Sequence, residues 1–148
     1  VVFAKKELFE INVLLTWFFR WMGALCVRGT REELDVIDQT VEACRNGGTL
    51  LIFPEGTRNK GEELSLLPFH NGSFKIAEKT GCPIIPMSLN NTCDIFEGHF
   101  PFIKKTHVIL EYGKPIYPKE LDKDEKKRIG EYCSNIISET IHKNQALV

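Results

Sequence analysis

The run Thr49-Leu50-Leu51-Ile52-Phe53, continued by Pro54-Glu55-Gly56-Thr57-Arg58, sets the organisation of this chain. Five uncharged, mostly apolar residues read as a strand of the kind buried on both faces in parallel sheets, and Pro54 stops it. A compact polar set is thereby delivered at the strand's carboxyl end, the edge at which open α/β sheets bind ligands. Arg58 presents a planar fork of donors matched to a phosphate or carboxylate. Gly56 allows close backbone approach, Thr57 adds a hydroxyl, and Glu55 either fixes the arginine or accepts from a substrate hydroxyl. A plain turn closed by a Glu55–Arg58 salt bridge accounts for the same residues, and the sequence leaves both readings open. Arg28 stands one residue past the apolar stretch Ala24-Leu25-Cys26-Val27, at the same topological edge. Two arginines at neighbouring strand ends make a cationic floor for one anionic group.

The same alternation extends in both directions. Val1 to Ala4 reads as a short extended segment and Ala24 to Val27 as a buried strand. Thr30 and Glu33 form a capping-box pair opening a helix with Leu34, Ile37, Val41 and Cys44 at helical spacing, and Gly47-Gly48 closes it. Downstream, a helix from Phe69 to Lys79 ends at Gly81, and Pro83 to Leu89 is a strand fenced by prolines. Asn90 to Lys105 has no period and reads as a long loop. His107 to Tyr112 is the last strand, and Lys123 to Lys143 the last helix, with Ile129, Cys133, Ile136, Ile137 and Ile141 on one side. Strand and helix in alternation with short joins imply a single α/β domain over residues 1–148, with a largely parallel central sheet flanked by helices.

Composition narrows the function. The 148 residues are 43% hydrophobic, enough for one core, and 19 Lys and Arg against 20 Asp and Glu leave a net charge of −1. That balance excludes disorder and a bulk nucleic-acid partner. Cys26, Cys44, Cys82, Cys93 and Cys133 are scattered without a C-x-x-C pair, and read as reduced, mostly core-filling thiols, with no metal site. No cleavable signal peptide is evident. Leu8 to Leu25 is strongly apolar, but Glu10 and Arg20 leave nine uncharged residues between them, too few for a spanning helix. Asn12, Thr16 and Arg20 make one narrow polar stripe on it, so the rest needs cover from protein or from lipid. Glu62-Glu63 stand where a phosphate loop would need Lys and Ser or Thr, and neither G-x-S-x-G nor H-E-x-x-H occurs. His70, His99, His107 and His142 lack an evident carboxylate partner and read as structural or solvated.

Taken together, these segments resemble the glycerolipid acyltransferase family, most closely bacterial lysophosphatidic acid acyltransferases. Phe53-Pro54-Glu55-Gly56-Thr57-Arg58 is similar to the family's most recognisable motif, and Ala24 to Gly29 resembles the motif ending in a substrate-binding arginine. Leu67-Pro68-Phe69 with Asn71-Gly72 matches a Pro-Phe-x-x-Gly segment, and Ile84-Ile85-Pro86-Met87 a proline-centred apolar motif. Tyr112-Gly113-Lys114-Pro115-Ile116 is similar to the closing Gly-x-Pro-Ile, and Lys5-Lys6-Glu7-Leu8 to the segment leading into the first helix.

The resemblance implies transfer of a fatty acyl group from acyl-CoA or acyl carrier protein to the hydroxyl of a lysophospholipid, with no cofactor beyond that thioester co-substrate. It assigns acceptor binding to Arg28, Glu55, Gly56, Thr57 and Arg58. The family's general base is the His of a His-x-x-x-x-Asp motif. Five residues after the four histidines stand Lys75, Lys104, Tyr112 and Leu147, so no catalytic residue of that kind is among these residues. With that motif expected upstream of Lys5, the chain reads as N-terminally truncated and inactive alone. A noncatalytic phosphate- or lipid-binding α/β module is the rival, and a nucleotide-binding domain, without a glycine-rich loop after the first strand, ranks below both. The lipid substrate, with a local charge of +2 through residue 30, implies a peripheral position on the cytoplasmic face of a membrane.

Overall fold

The structure, a computed structural model, describes residues 2–5, 17, 21, 24–27, 32–57, 59, 61, 64–95 and 97–148. The chain divides into two compact units, Val1–Phe53 with Lys75–Cys82, and Pro54–Phe74 with Pro83–Val148.

In the first unit, β1 (Val2–Lys5) pairs in parallel with β2 (Ala24–Val27), Val2 opposite Ala24 and Lys5 opposite Val27. Most of the apolar stretch read as a helix between them lies outside the described residues. Within it Trp17 and Trp21 are helical and 67% and 74% exposed. Helix α1 (Glu32–Arg45) begins beside the expected cap, whose Thr30 lies outside the described residues. It ends as anticipated: Gly47 takes φ +83° and donates to the Cys44 carbonyl at 3.1 Å, while Gly48 donates to that of Ala43 at 2.9 Å. These are the two bonds of a Schellman cap, which needs a left-handed residue at Gly47. Helix α2 (Lys75–Thr80) packs on α1, where Thr40, Val41 and Ile76 are buried.

The strand expected over Thr49–Phe53 does not form. Only Leu51 makes a bridge, and Leu51 and Phe53 are 40% and 67% exposed. An apolar run has the composition of a strand, but a ladder needs a partner along its length.

In the second unit, β3 (Met87–Asn90) and β4 (Ile109–Tyr112) are antiparallel, Met87 opposite Tyr112 and Asn90 opposite Ile109. A bridge between Ile84 and Ile116, with reciprocal 2.8 Å hydrogen bonds, prolongs the pairing. The expectation of a largely parallel sheet therefore fails here: the described strands form one parallel pair and one antiparallel pair. A parallel return requires a crossover, usually a helix, and among the described residues the connection between β3 and β4 carries only the short 3-10 turns Cys93–Ile95 and Glu97–His99.

The last helix is interrupted, as α3 (Lys123–Lys127) and α4 (Ile129–Asn144), at Arg128 (φ −111°, ψ 24°). Asp122 caps α3 in a capping box, accepting from the backbone N–H groups of Asp124 and Glu125 at 2.8 and 2.7 Å, while Glu125 accepts from the Asp122 N–H at 3.0 Å. The anticipated stripe on α4 holds: Ile129 and Cys133 are buried with Phe74 and Ile116, and Phe69, Ile84, Leu121 and Ile136 pack around them. The face of β3 turned toward α4 is polar. Buried Asn90 donates to the Ile141 carbonyl at 2.9 Å, and buried Ser88 to that of Ile137 at 3.5 Å.

Candidate functional site

Pro54 and Glu55 form a turn, after which Gly56 adopts φ +66°. A side chain at Gly56 is excluded twice. The left-handed backbone penalises one, and its Cβ would lie 2.9 Å from Cδ2 of the His70 ring. The His70 N–H donates to the Pro54 carbonyl at 2.9 Å, so the stretch after Phe53 is tied to the Pro68-Phe69 stretch. Asn59 organises the residues that follow, its Oδ1 accepting from the Gly61 N–H at 2.8 Å and its Nδ2 donating to the Ser65 carbonyl.

Of the residues singled out as an acceptor site, Glu55 is half-buried and Gly56 and Thr57 are exposed, in one short loop. Arg28 and Arg58 lie outside the described residues. His70, set aside in the sequence as structural or solvated, is brought against Gly56. The available signal was its place inside the Pro-Phe-x-x-Gly match.

Phe69 and Asn71, the chain neighbours of His70, line a cleft of about 320 Å³ with Pro68, Lys127, Arg128 and residues of the first turns of α4. That volume is at the lower end for small-molecule sites. The rings of His142 and His99 have partners within their own segments. His142 Nδ1 lies 2.8 Å from the Ser138 carbonyl, and His99 Nδ1 lies 3.2 Å from the Asp94 carbonyl and 3.7 Å from its carboxylate. The Asp94 carboxylate precedes its histidine by five positions, so the residue five places after His99, Lys104, gives no sign of it. Burial pushes the Cys133 thiol up to about 11, so it stays protonated and inert, as a core-filling role requires. Cys44 is also raised, by burial and then by Cys82 nearby, whereas Cys93 is exposed.

The sequence segments are thus joined in pairs: Pro54-Glu55-Gly56 with Phe69-His70, and Ile84 to Pro86 with Gly113 to Ile116, where the Gly113 N–H also donates to the Pro86 carbonyl at 2.8 Å. A family model described as Acyltransferase matches residues 1–90. The chain belongs to the acyltransferase family. It is 33% identical over 138 residues to the 1-acyl-sn-glycerol-3-phosphate acyltransferase of Saccharomyces cerevisiae, covering 91% of this chain and 44% of that one. Its similarity to the enzyme of the same name from Borreliella burgdorferi is 32% identity over 134 residues, covering 87% and 51%. Among solved structures it resembles the 1-acyl-sn-glycerophosphate (LPA) acyltransferase PlsC from Thermotoga maritima, with a TM-score of 0.78 and 27% identity over 99% of this chain and 57% of that chain. The chain spans about half the length of the curated relatives it matches. Within this acyltransferase chain, the Glu55–Thr57 loop lies inside the span of the family match and the α3–α4 region lies beyond it.

Proposed function

We propose that the protein acylates lysophosphatidic acid in phospholipid synthesis, taking the acyl group from acyl-CoA or acyl carrier protein. In that reaction the acceptor hydroxyl oxygen bonds to the thioester carbonyl carbon, the carbon–sulfur bond breaks, and the hydroxyl proton leaves with the thiol. These 148 residues contain no His-x-x-x-x-Asp, so their part is to hold the acceptor within one acyltransferase domain. The observation that supports this reading is the Glu55–Thr57 loop, shaped by Gly56 and tied down by His70, in the segment that ends in Arg58. Arg58, with Arg28, is assigned the acceptor phosphate. Glu55, Gly56 and Thr57 shape the pocket.

Charge-assisted hydrogen bonds contribute about 1.5–3 kcal/mol each. In the full-length protein, Arg58→Ala is therefore expected to raise KM for lysophosphatidic acid by about tenfold to a hundredfold while leaving KM for the acyl donor nearly unchanged. Equal rises for both substrates overturn the phosphate role.

The rival reading is a noncatalytic phosphate- or lipid-binding module. Binding of the acceptor without any transfer from acyl-CoA or acyl carrier protein would establish it. The lipid substrate places the protein peripherally at the cytoplasmic face of a membrane in this reading. Trp17 and Trp21, both exposed, support that position, and no helix among the described residues is long and apolar enough to cross a bilayer.

A further inference from the structure

Between β3 and β4 the chain reads His99-Phe100-Pro101-Phe102-Ile103-Lys104-Lys105. Phe100, Phe102 and Ile103 are 74%, 76% and 79% exposed. Three large apolar side chains presented within four residues form a patch of the kind that soluble surfaces avoid.

This exposure does not come from a loose loop. The base is closed by hydrogen bonds from Lys104 N–H to the Ile95 carbonyl (2.9 Å), Phe102 N–H to the His99 carbonyl (2.9 Å) and Asn91 Nδ2 to the His107 carbonyl (2.9 Å). Asp94 is its hub. Its carbonyl accepts from Thr106 Oγ1 at 3.2 Å, and its carboxylate holds Lys104 Nζ at 3.2 Å. The tip is thus held outward on a built frame, and cations follow it directly: Lys105 is exposed, and Lys104 remains half exposed beside Asp94.

We infer that the Phe100–Lys105 tip is a membrane-docking element, its Phe102 and Ile103 side chains entering the headgroup and acyl boundary of an anionic phospholipid bilayer while Lys104 and Lys105 meet the lipid phosphates. Exposed aromatic and branched side chains followed directly by lysines suit penetration of a soft, anionic interface. The flanking charge selects anionic lipid. The choice of a bilayer as partner rests on the lipid acceptor proposed above.

The test is partition of the full-length protein onto sedimenting vesicles, either pure phosphatidylcholine or equimolar phosphatidylcholine and phosphatidylglycerol. The double variant Phe102→Ser, Ile103→Ser is expected to weaken partition about tenfold or more, since burying either side chain contributes roughly that factor. Its thermal midpoint and its transfer to a water-soluble short-chain acceptor should stay unchanged. Lys105→Gln should weaken binding about fivefold on the anionic vesicles and leave phosphatidylcholine unaffected. Phe102→Trp, which keeps a large ring at the tip, should add blue-shifted emission on anionic vesicles beyond that of Trp17 and Trp21. Unchanged partition of the double variant, or no added blue shift, overturns the docking role, and is the outcome if the patch serves a protein instead. Absence of any acyl transfer would overturn the proposed activity while leaving a tip-dependent partition intact. An active enzyme whose partition ignores the tip overturns the docking role alone.

Discussion

Gly56 carries two constraints at one atom, a left-handed backbone and the His70 ring where a Cβ would sit. They separate experimentally. Gly56→Ala should destabilise the fold by about 1–2 kcal/mol from the backbone alone, and raise KM for the acceptor by distorting the loop. Adding His70→Ala should recover the steric share but not the backbone share, so the double variant falls between Gly56→Ala and the parent in thermal denaturation. Full recovery would show that φ contributes nothing, and no recovery that the ring does not crowd the site. The glycine is legible in the sequence as a position of close approach. The partner that crowds it is not, because His70 is fourteen positions away and only the fold brings its ring there.

Among the elements, helix ends are the features most directly written in local sequence. Gly47-Gly48 after an amphipathic run announces the end of α1, and the structure forms both bonds of that cap. The capping box of α3 also depends on residues within one turn of each other. Replacing Asp122 by Ala removes the acceptor for two N–H groups and should cost about 1 kcal/mol in urea denaturation, whereas Asp122→Asn should retain most of it. A loss from Asn as large as from Ala would mean that charge, rather than acceptance, sustains the helix start. Strands are different. Thr49–Phe53 has a strand's composition and forms only one bridge, because a strand exists by virtue of a partner that its own residues do not specify.

Across the whole molecule, distant segments are connected by polar as well as apolar contacts. Glu111 on β4 accepts from Lys143 Nζ at 2.9 Å and from Asn144 Nδ2 at 2.8 Å, both at the end of α4. The Lys143 bond first, then that from Asn144, holds the carboxyl below its ordinary value. A carboxyl lowered on folding adds stability that is present above its unfolded pKa and lost as pH falls through the folded one. The parent should therefore lose more of its thermal midpoint on acidification from neutral pH than Glu111→Gln does, with the two curves converging in acid. Parallel curves in circular dichroism melts would exclude this link. Glu111 stands more than thirty positions before the adjacent Lys143 and Asn144, each is unremarkable in the sequence, and only docking of α4 on the β3–β4 pair makes them a cluster. By itself, the sequence determined the apolar face of α4, the closing cap of α1 and the family motifs, since these depend on residue types at short spacing. Only the tertiary structure decided that β3 and β4 run antiparallel, that Ser88 and Asn90 face a helix, that His70 closes on Gly56, and that Phe102 and Ile103 stand in the open. Pairing, burial and exposure depend on which distant segments meet.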